Sequence, residues 1–251
     1  MIFAAGFGTR LKPWTDEHPK ALVEVDGVPM LGRVIEKMKA AGVRRIIVNT
    51  HHFADQIHEY LRVNDYFGVE INVSHEPALL DTGGGVSNAL SRFGIDGPLI
   101  LHNADILTDF PLASMLTAYE ESGCCTQLLV SGRTTSRYLL FDESGVMRGW
   151  YNPSTGEVRG PAKEMADRSG LCTLAFGGVH LLNEDTQRRI IGYGQGRGVF
   201  SIIDFYIEAC AEQQLQAFIP DAPYLWHDVG TSDKLAAARF AWQNKYGAHG
   251  V

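Results

Sequence analysis

The chain has 251 residues, 45% of them apolar and 20% charged, enough for one sizeable α/β domain or two small ones. A formal net charge of −7 supplies no global basic surface, so no nucleic-acid partner is expected. No apolar run is long enough to span a bilayer, and no basic segment followed by a long apolar run opens the chain, so neither a membrane partner nor a signal peptide is expected.

Met1–Ala5 reads as a short strand that runs into the glycine-rich segment Gly6-Phe7-Gly8-Thr9-Arg10. Pro29–Ala41 reads as a helix, with Met30, Leu31, Val34, Ile35 and Met38 on one face and Gly42 as its stop. Arg45–Asn49 is a buried-type strand, Ala54–Arg62 a helix and Val69–Ser74 a strand. Asp81-Thr82-Gly83-Gly84-Gly85 reads as a tight turn where backbone comes close to a ligand, with a helix over Gly85–Leu90. Pro98–His102 is a strand ending at Asn103-Ala104-Asp105, followed by a helix over Pro111–Glu121 and a strand over Thr126–Ser131. From Arg133 to Arg168 short strands alternate with turn residues, which predicts a small antiparallel lobe inserted in the larger domain. Leu171–Leu182 returns to strand character, Ser201–Glu212 is a helix with Ser201 as cap and Asp204 completing a near capping box, and Ser232–Tyr246 is a last helix. This alternation predicts an α/β fold, an open, mostly parallel sheet with helices on both faces.

In such sheets the ligand crevice lies at the carboxyl ends of the strands. The glycine-rich loop, Asp81-Thr82-Gly83 and Asn103-Ala104-Asp105 all fall at or just past strand ends. A strand ending in glycines exposes N–H groups, which bind anions when a helix begins behind them. Arg10, Lys12 and Lys20 are basic residues near that loop, which suits a small polyanion. The spacing is not the dinucleotide fingerprint, since Leu11 stands where its third glycine belongs, and no Gly-Lys-Ser/Thr makes it a Walker loop. Asp105 and Asp228, from distant segments, form a candidate carboxylate pair for one Mg²⁺ shared with phosphate oxygens. No histidine spacing matches a zinc motif, although His102 and His227 flank the two aspartates and His51-His52 follow a strand. Cys124, Cys125, Cys172 and Cys210 lack a disulfide framework, so reduced thiols in a cytoplasm are expected. Arg188, Arg189 and Arg197 read as a solvated face.

The strand, the Gly-x-Gly-Thr-Arg loop and the Pro19-Lys20 pair resemble the sugar-1-phosphate nucleotidyltransferase family. The likeness runs on, in the family's order, through Asp81–Gly85, Asn103-Ala104-Asp105, Phe176-Gly177-Gly178-Val179 and Trp226-His227-Asp228-Val229-Gly230-Thr231. Within the family the chain is most similar to the short enzymes of the N-acetylmuramate-1-phosphate uridylyltransferase type. The resemblance implies a Rossmann-like, nucleotide-diphospho-sugar transferase fold, one domain over 1–251 with a sugar-side lobe at about 133–168. It implies transfer of a nucleotidyl group from a nucleoside triphosphate, UTP favoured, to a sugar 1-phosphate with release of pyrophosphate.

By the same resemblance Arg10 neutralises the triphosphate and the leaving pyrophosphate, and Lys20 sits by the α-phosphate and the sugar phosphate. Asp105 and Asp228 are the Mg²⁺ ligands. Ala4, Ala5, Gly6, Gly8, Thr9, Thr82, Gly83 and Asn103 line the nucleotide, with Glu76 at the edge of the base. A carboxylate there accepts from two N–H groups of guanine but one of uracil, so GTP stays open. Gly149 and Gly178 line the sugar pocket; where many relatives have Asn, this chain has Phe176, which cannot hydrogen-bond the sugar. Trp150 and Tyr151 either stack on the sugar or pack in the core. The alternatives are a guanylyltransferase acting on mannose- or heptose-1-phosphate, a non-catalytic nucleotide-sugar-binding regulatory protein, and a glycosyltransferase, whose Asp-x-Asp motif stands nowhere suitable. A monomer or small homo-oligomer is expected. The resemblance also predicts a few residues upstream of Met1, and the last helix, running through Tyr246, leads to the expectation of no added acetyltransferase or β-helix domain.

Overall fold

The computed structural model describes residues 1–123 and 125–247. Its fold is α/β, with a mixed, mostly parallel central sheet and seven α-helices among the described residues. In chain order the first elements are β1 (Ile2–Phe3), β2 (Glu24–Val25), β3 (Val28–Pro29), α1 (Met30–Ala40), β4 (Arg45–Thr50), α2 (Ala54–Val63) and β5 (Glu70–His75). Then come α3 (Asp81–Phe93), β6 (Leu99–Asn103), β7 (Ile106–Thr108), α4 (Leu112–Glu121), β8 (Thr126–Ser131), β9 (Tyr138–Phe141), β10 (Met147–Asn152) and β11 (Glu157–Arg159). The last are β12 (Cys172–Leu182), α5 (Glu184–Gly194), α6 (Ile202–Ala209), β13 (Leu215–Phe218), β14 (Trp226–Asp228) and α7 (Ser232–Tyr246). The chain packs as two compact units: Met1–Leu79, His102–Ala113 and the segment from Ala222 onward form the first, and Leu80–Leu101 with Ser114–Asp221 the second.

In the first unit β1 is short but central. It pairs in parallel with β4 on one side and with the end of β6 on the other, so that Phe3 is opposite both Asn49 and Asn103. β5 extends the parallel ladder beyond β4. Ile2, Ile46 and Val48 are fully buried, as a parallel sheet requires of its inner strands. A second, antiparallel pair joins β7 to β14 and puts Asp228 opposite Ile106. A cluster of Leu11, Val23, Val25, Met30, Leu107, Val229, Leu235 and Ala238 underlies this region. Leu11 and Val229 are each buried next to a candidate site residue. Burial of Leu11 (4% exposed) and Val229 (0%) anchors the chain one residue from Arg10 and Asp228. Each such side chain is worth roughly 1.5–3 kcal/mol, so the core that stabilises the unit also aims its charges.

In the second unit β11, β10, β9, β12 and β8 follow one another antiparallel, and β13 adds in parallel to β8. Helix α5 has no counterpart in the sequence reading. Its face carries Arg188 and Arg189, and its buried side chains include Thr186 and Gln187, so its apolar stripe is thin. Its start is nevertheless marked by Asn183, whose side chain accepts from Thr186 N at 2.9 Å. Ser201 caps α6 by accepting from Ile203 N; Asp204 instead pairs with Arg159 at 2.8 Å, and the helix ends at Ala209 rather than Glu212.

The largest departure from the sequence reading is at Asp81–Gly85. The segment is the first part of α3, not a turn. Gly83 N and Gly84 N both donate to Phe200 O, at 2.9 and 3.1 Å, and Phe200 N donates to Leu80 O. A Cβ at Gly84 would collide with the Gly198 carbonyl oxygen. The glycines therefore let the helix start lie against the 198–202 segment, and the close approach is to the chain itself. Gly84→Ala is expected to destabilise the fold by about 1–3 kcal/mol, because backbone must move to admit the methyl; a melting curve superimposable on the wild type would show that the contact is soft.

Candidate active site

The glycine-rich loop leaves the sheet at Ala4, whose N–H is buried and donates to Asn49 Oδ1 at 2.8 Å. Gly8 has φ 66° and a neighbourhood that excludes a side chain, since a Cβ would lie 2.8 Å from Lys20 Cβ and 2.9 Å from Thr15 Cγ2. Its carbonyl accepts from Leu11 N (2.8 Å) and Thr15 Oγ1 (2.9 Å), which ties the loop down on the side of Lys20. Behind the loop stands a single 3-10 turn, Thr9–Leu11, instead of the helix that the anion-site argument assumes. Positive potential must then come from side chains. Gly6, Thr9 and Arg10 are exposed, Ala4 and Ala5 buried, and Asn103 is half-buried at the end of β6. Lys12 pairs with Asp16 at 2.7 Å on the surface, so it is a local ion pair.

Arg10, Lys20, Asp105 and Asp228 come together at Gly230. A Cβ built there would lie 2.6 Å from Asp228 Oδ1, 3.0 Å from an Arg10 guanidinium nitrogen and 3.3 Å from Lys20 Nζ. Lys20 Nζ donates to Asp105 Oδ2. Asp228 Oδ2 accepts from Lys234 Nζ at 2.6 Å and Oδ1 from Gly230 N at 2.7 Å. Val229 N donates to Asp105 O at 2.9 Å, so the two acidic segments are joined through backbone as well. Burial pushes the Asp228 carboxyl up, but Lys234, the Gly230 N–H and Lys20 outweigh it and hold the group below the usual carboxylate range. Asp228 ends strand β14, and Thr231 is the residue that caps α7. Lys234 is a participant that the sequence reading missed. It lies in the first turn of α7, six residues after Asp228, and no motif marks it.

Glu76, assigned by resemblance to the edge of the base, is buried. It is 0% exposed, and its Oε1 accepts from Asn49 Nδ2 at 2.7 Å. Its carbonyl accepts from His51 Nδ1 at 2.8 Å. Asn49 is the other residue overlooked from sequence, and its position near the end of β4 is the signal that could have found it; His51, weighed from sequence only against a zinc motif, follows that strand directly.

In the second unit the residues assigned to ligands have structural work of their own. Thr82 Oγ1 accepts from Ile202 N (2.9 Å), Thr82 N donates to Asp81 Oδ1 (2.6 Å), and Gly83 N is held by Phe200. These atoms brace the start of α3. Gly149 lies at an irregularity in the β9–β10 pairing, where a Cβ would strike the Arg159 carbonyl. Gly178 lies within the register shift of β12 between Phe176 and His180. Phe176 packs edge-on against His180, ring centroids 4.5 Å apart, and Trp150 lies beneath the Arg159 guanidinium at 5.9 Å. Arg188 and Arg189 make exposed pairs within α5, to Glu184 and Asp185.

Among the described residues no group of three or more His, Cys, Asp and Glu could hold a metal ion. His102 is fully buried; its Nδ1 lies 2.8 Å from the Asn103 carbonyl, which can only accept, and its Nε2 has no hydrogen-bond partner among the described residues. Burial, aided by Lys37, pushes its pKa down to about 4 despite that carbonyl. The unfolded chain therefore takes up a proton near pH 6.5 that the folded chain refuses until about pH 4. Stability is expected to fall as pH drops through that window, by up to about 1.4 kcal/mol per pH unit, in urea titrations. A slope unchanged in His102→Gln would assign the acid sensitivity elsewhere. Cys125, Cys172 and Cys210 are free thiols; Cys124 lies outside the described residues. No helix among the described residues is long and apolar enough to cross a membrane.

The pattern of the nucleotidyl transferase family matches residues 1–244, and the chain belongs to that family. It is 31% identical over 250 residues to the N-acetylmuramate alpha-1-phosphate uridylyltransferase of Caulobacter vibrioides, covering 96% of each chain. It is 28% identical over 235 residues to the mannose-1-phosphate guanylyltransferase catalytic subunit beta of Drosophila pseudoobscura pseudoobscura, covering 92% of this chain and 58% of that protein. Its fold is similar to that of a UDP-glucose pyrophosphorylase crystallised with UDP-glucose, with a TM-score of 0.75 at 17% identity over 97% of each chain.

Proposed function

We propose that this chain transfers a nucleotidyl group from a nucleoside triphosphate to a sugar 1-phosphate, with UTP as donor and a muramic or N-acetylhexosamine phosphate as acceptor. The observation that carries this reading is the meeting of Arg10, Lys20 and Asp228 at Gly230, with Asp105 tied to the same lysine. An oxygen of the sugar phosphate attacks the α-phosphorus, the bond to the β-phosphate oxygen breaks, and pyrophosphate leaves. The nucleophile is already ionised, since the second phosphate pKa is about 6, so no side chain need remove a proton. The work left to the protein is alignment and charge neutralisation. Arg10 neutralises the triphosphate and the departing pyrophosphate, and Lys20 the α-phosphate and the incoming phosphate. Ala4, Ala5, Gly6, Gly8, Thr9 and Asn103 contact the nucleotide, and Gly149 and Gly178 are the sugar-binding candidates of the second unit.

Asp105 and Asp228 would hold a Mg²⁺. Two carboxylates on adjoining backbone are the hard oxygen donors that this ion takes when phosphates and water complete its shell. Bound there, it would neutralise and orient phosphate oxygens. A cytoplasmic location, and a monomer or small oligomer, accord with the free thiols and the enzyme class.

The likeness to a uridylyltransferase over 96% of both chains supports UTP, and the mannose-1-phosphate relative supports a second reading with GTP and mannose- or heptose-1-phosphate. Four triphosphates crossed with several sugar phosphates, scored by pyrophosphate, test both. Release with UTP and N-acetylmuramate 1-phosphate is expected. Release with GTP alone would select the second reading, and no release from any pair, with nucleotide sugars still bound, would make the protein a sensor.

A further inference from the structure

We propose that Asn49 and Glu76 are positioning residues for the nucleotide loop, which fix the Ala4 amide from within the sheet, and that Glu76 does not read the base. The proposal rests on the nucleotidyl-transfer reading. Strand β1 ends at Phe3, and from Ala4 the chain departs from its neighbours. Ala4 is 4% exposed, so its N–H needs a partner away from water. Asn49, opposite Phe3 in register, supplies it through Oδ1 at 2.8 Å. The other end of the same amide, Nδ2, donates to Glu76 Oε1 at 2.7 Å.

Asn49 is 3% exposed and Glu76 0%, so this chain of bonds is dry. A carboxylate oxygen only accepts. It fixes the Asn49 amide with NH₂ toward Glu76 and oxygen toward Ala4, and the flipped amide has no partner for its oxygen. A buried carboxylate is costly, and a neutral glutamine would satisfy the same NH₂. Glutamine, however, also presents its own NH₂, which would permit the flipped amide and leave Ala4 N–H facing another donor. The acid thus imposes direction, which stability alone does not require. Glu76 is itself held: its N donates to Thr50 O and its carbonyl accepts from His51 Nδ1, both at 2.8 Å. The ends of β1, β4 and β5 are joined below the loop that carries the nucleotide contacts.

The test uses Asn49→Asp, Glu76→Gln and the double variant. In Asn49→Asp two carboxylates face each other. In the double variant the introduced glutamine donates to the introduced aspartate, whose other oxygen again accepts from Ala4. Kinetics with UTP and GTP, nucleotide affinity by calorimetry and melting temperature are measured for all. Asn49→Asp is expected to raise KM and Kd for both nucleotides about ten- to a hundredfold, the size of a lost buried hydrogen bond. The double variant is expected to return to within about threefold of wild type, the scale of residual context effects. The UTP/GTP ratio of kcat/KM stays constant throughout. A tenfold change of that ratio in Glu76→Gln would make Glu76 a base reader and overturn the proposal. A double variant no better than Asn49→Asp, or melting shifts with KM and Kd unmoved, would overturn it too. Wild-type protein that binds nucleotide in the expected order of variants but releases no pyrophosphate would remove the transfer reading alone; wild type with no nucleotide affinity would remove both.

Discussion

Asp105→Asn and Asp228→Asn are each expected to leave the protein folded and to lower Mg²⁺-dependent kcat/KM by several kcal/mol, on the order of a thousandfold. Both replacements keep the shape of the side chain. In Asp228→Asn the amide oxygen can still accept from Gly230 N, the bond that closes the turn into α7. In Asp105→Asn the main-chain link from Val229 N is untouched. Fold and function therefore separate: Tm should change little while turnover collapses. What each variant loses is a full negative charge with which to hold a dication beside phosphate oxygens. Near-normal rates in either variant, at saturating substrate and millimolar Mg²⁺, would take the metal assignment away from that residue. Lys234→Ala offers a contrast. It removes the partner that lies 2.6 Å from Asp228 but leaves the carboxylate, so it should alter affinity for the cation more than the rate at saturation.

Arg10→Ala is expected to cost about 3–4 kcal/mol at the transition state, or 10²- to 10³-fold, of the order of a lost oxyanion donor. The exposed guanidinium lies 3.0 Å from where a Cβ on Gly230 would stand, beside Asp228 and Lys20, so it is available to the pyrophosphate as charge builds on it. An interaction made chiefly in the transition state lowers kcat together with kcat/KM, whereas loss of ground-state binding raises KM alone. Steady-state kinetics in both directions, with pyrophosphate as substrate for the reverse reaction, will tell the two apart. Kinetics indistinguishable from wild type would mean that the loop has been misread. Because Leu11, not Arg10, packs in the core, the melting temperature should hold.

The parallel half of the fold was legible because its signal is local. The buried runs at Arg45–Asn49 and Pro98–His102, and the apolar face of Pro29–Ala41, each state their element within a few residues. The four charged residues were legible because glycines, Pro19 and an acid after a strand mark them. Lys234 and Asn49 were not, since their partners are 6 and 45 positions away and nothing local distinguishes either residue. Glycine misled at Asp81–Gly85. A run of glycines reports that something comes close to backbone; it does not say whether that is a ligand or the carbonyls of Gly198 and Phe200, more than a hundred residues later in the chain. The burial of Glu76 was not legible either: nothing local marks an acid just past a strand as dry, and only packing shows it.

In the two lysine–aspartate pairs the charges neutralise each other and leave Arg10 as the surplus positive charge among these five groups. Folding thus needs no cation there, and the protein should stay folded after chelation, losing only the stability that ion binding itself adds. Occupancy by a dication would also liberate both ammonium groups for the polyanion. Linkage then makes the two associations mutually reinforcing: each reactant prepares the charge its companion requires.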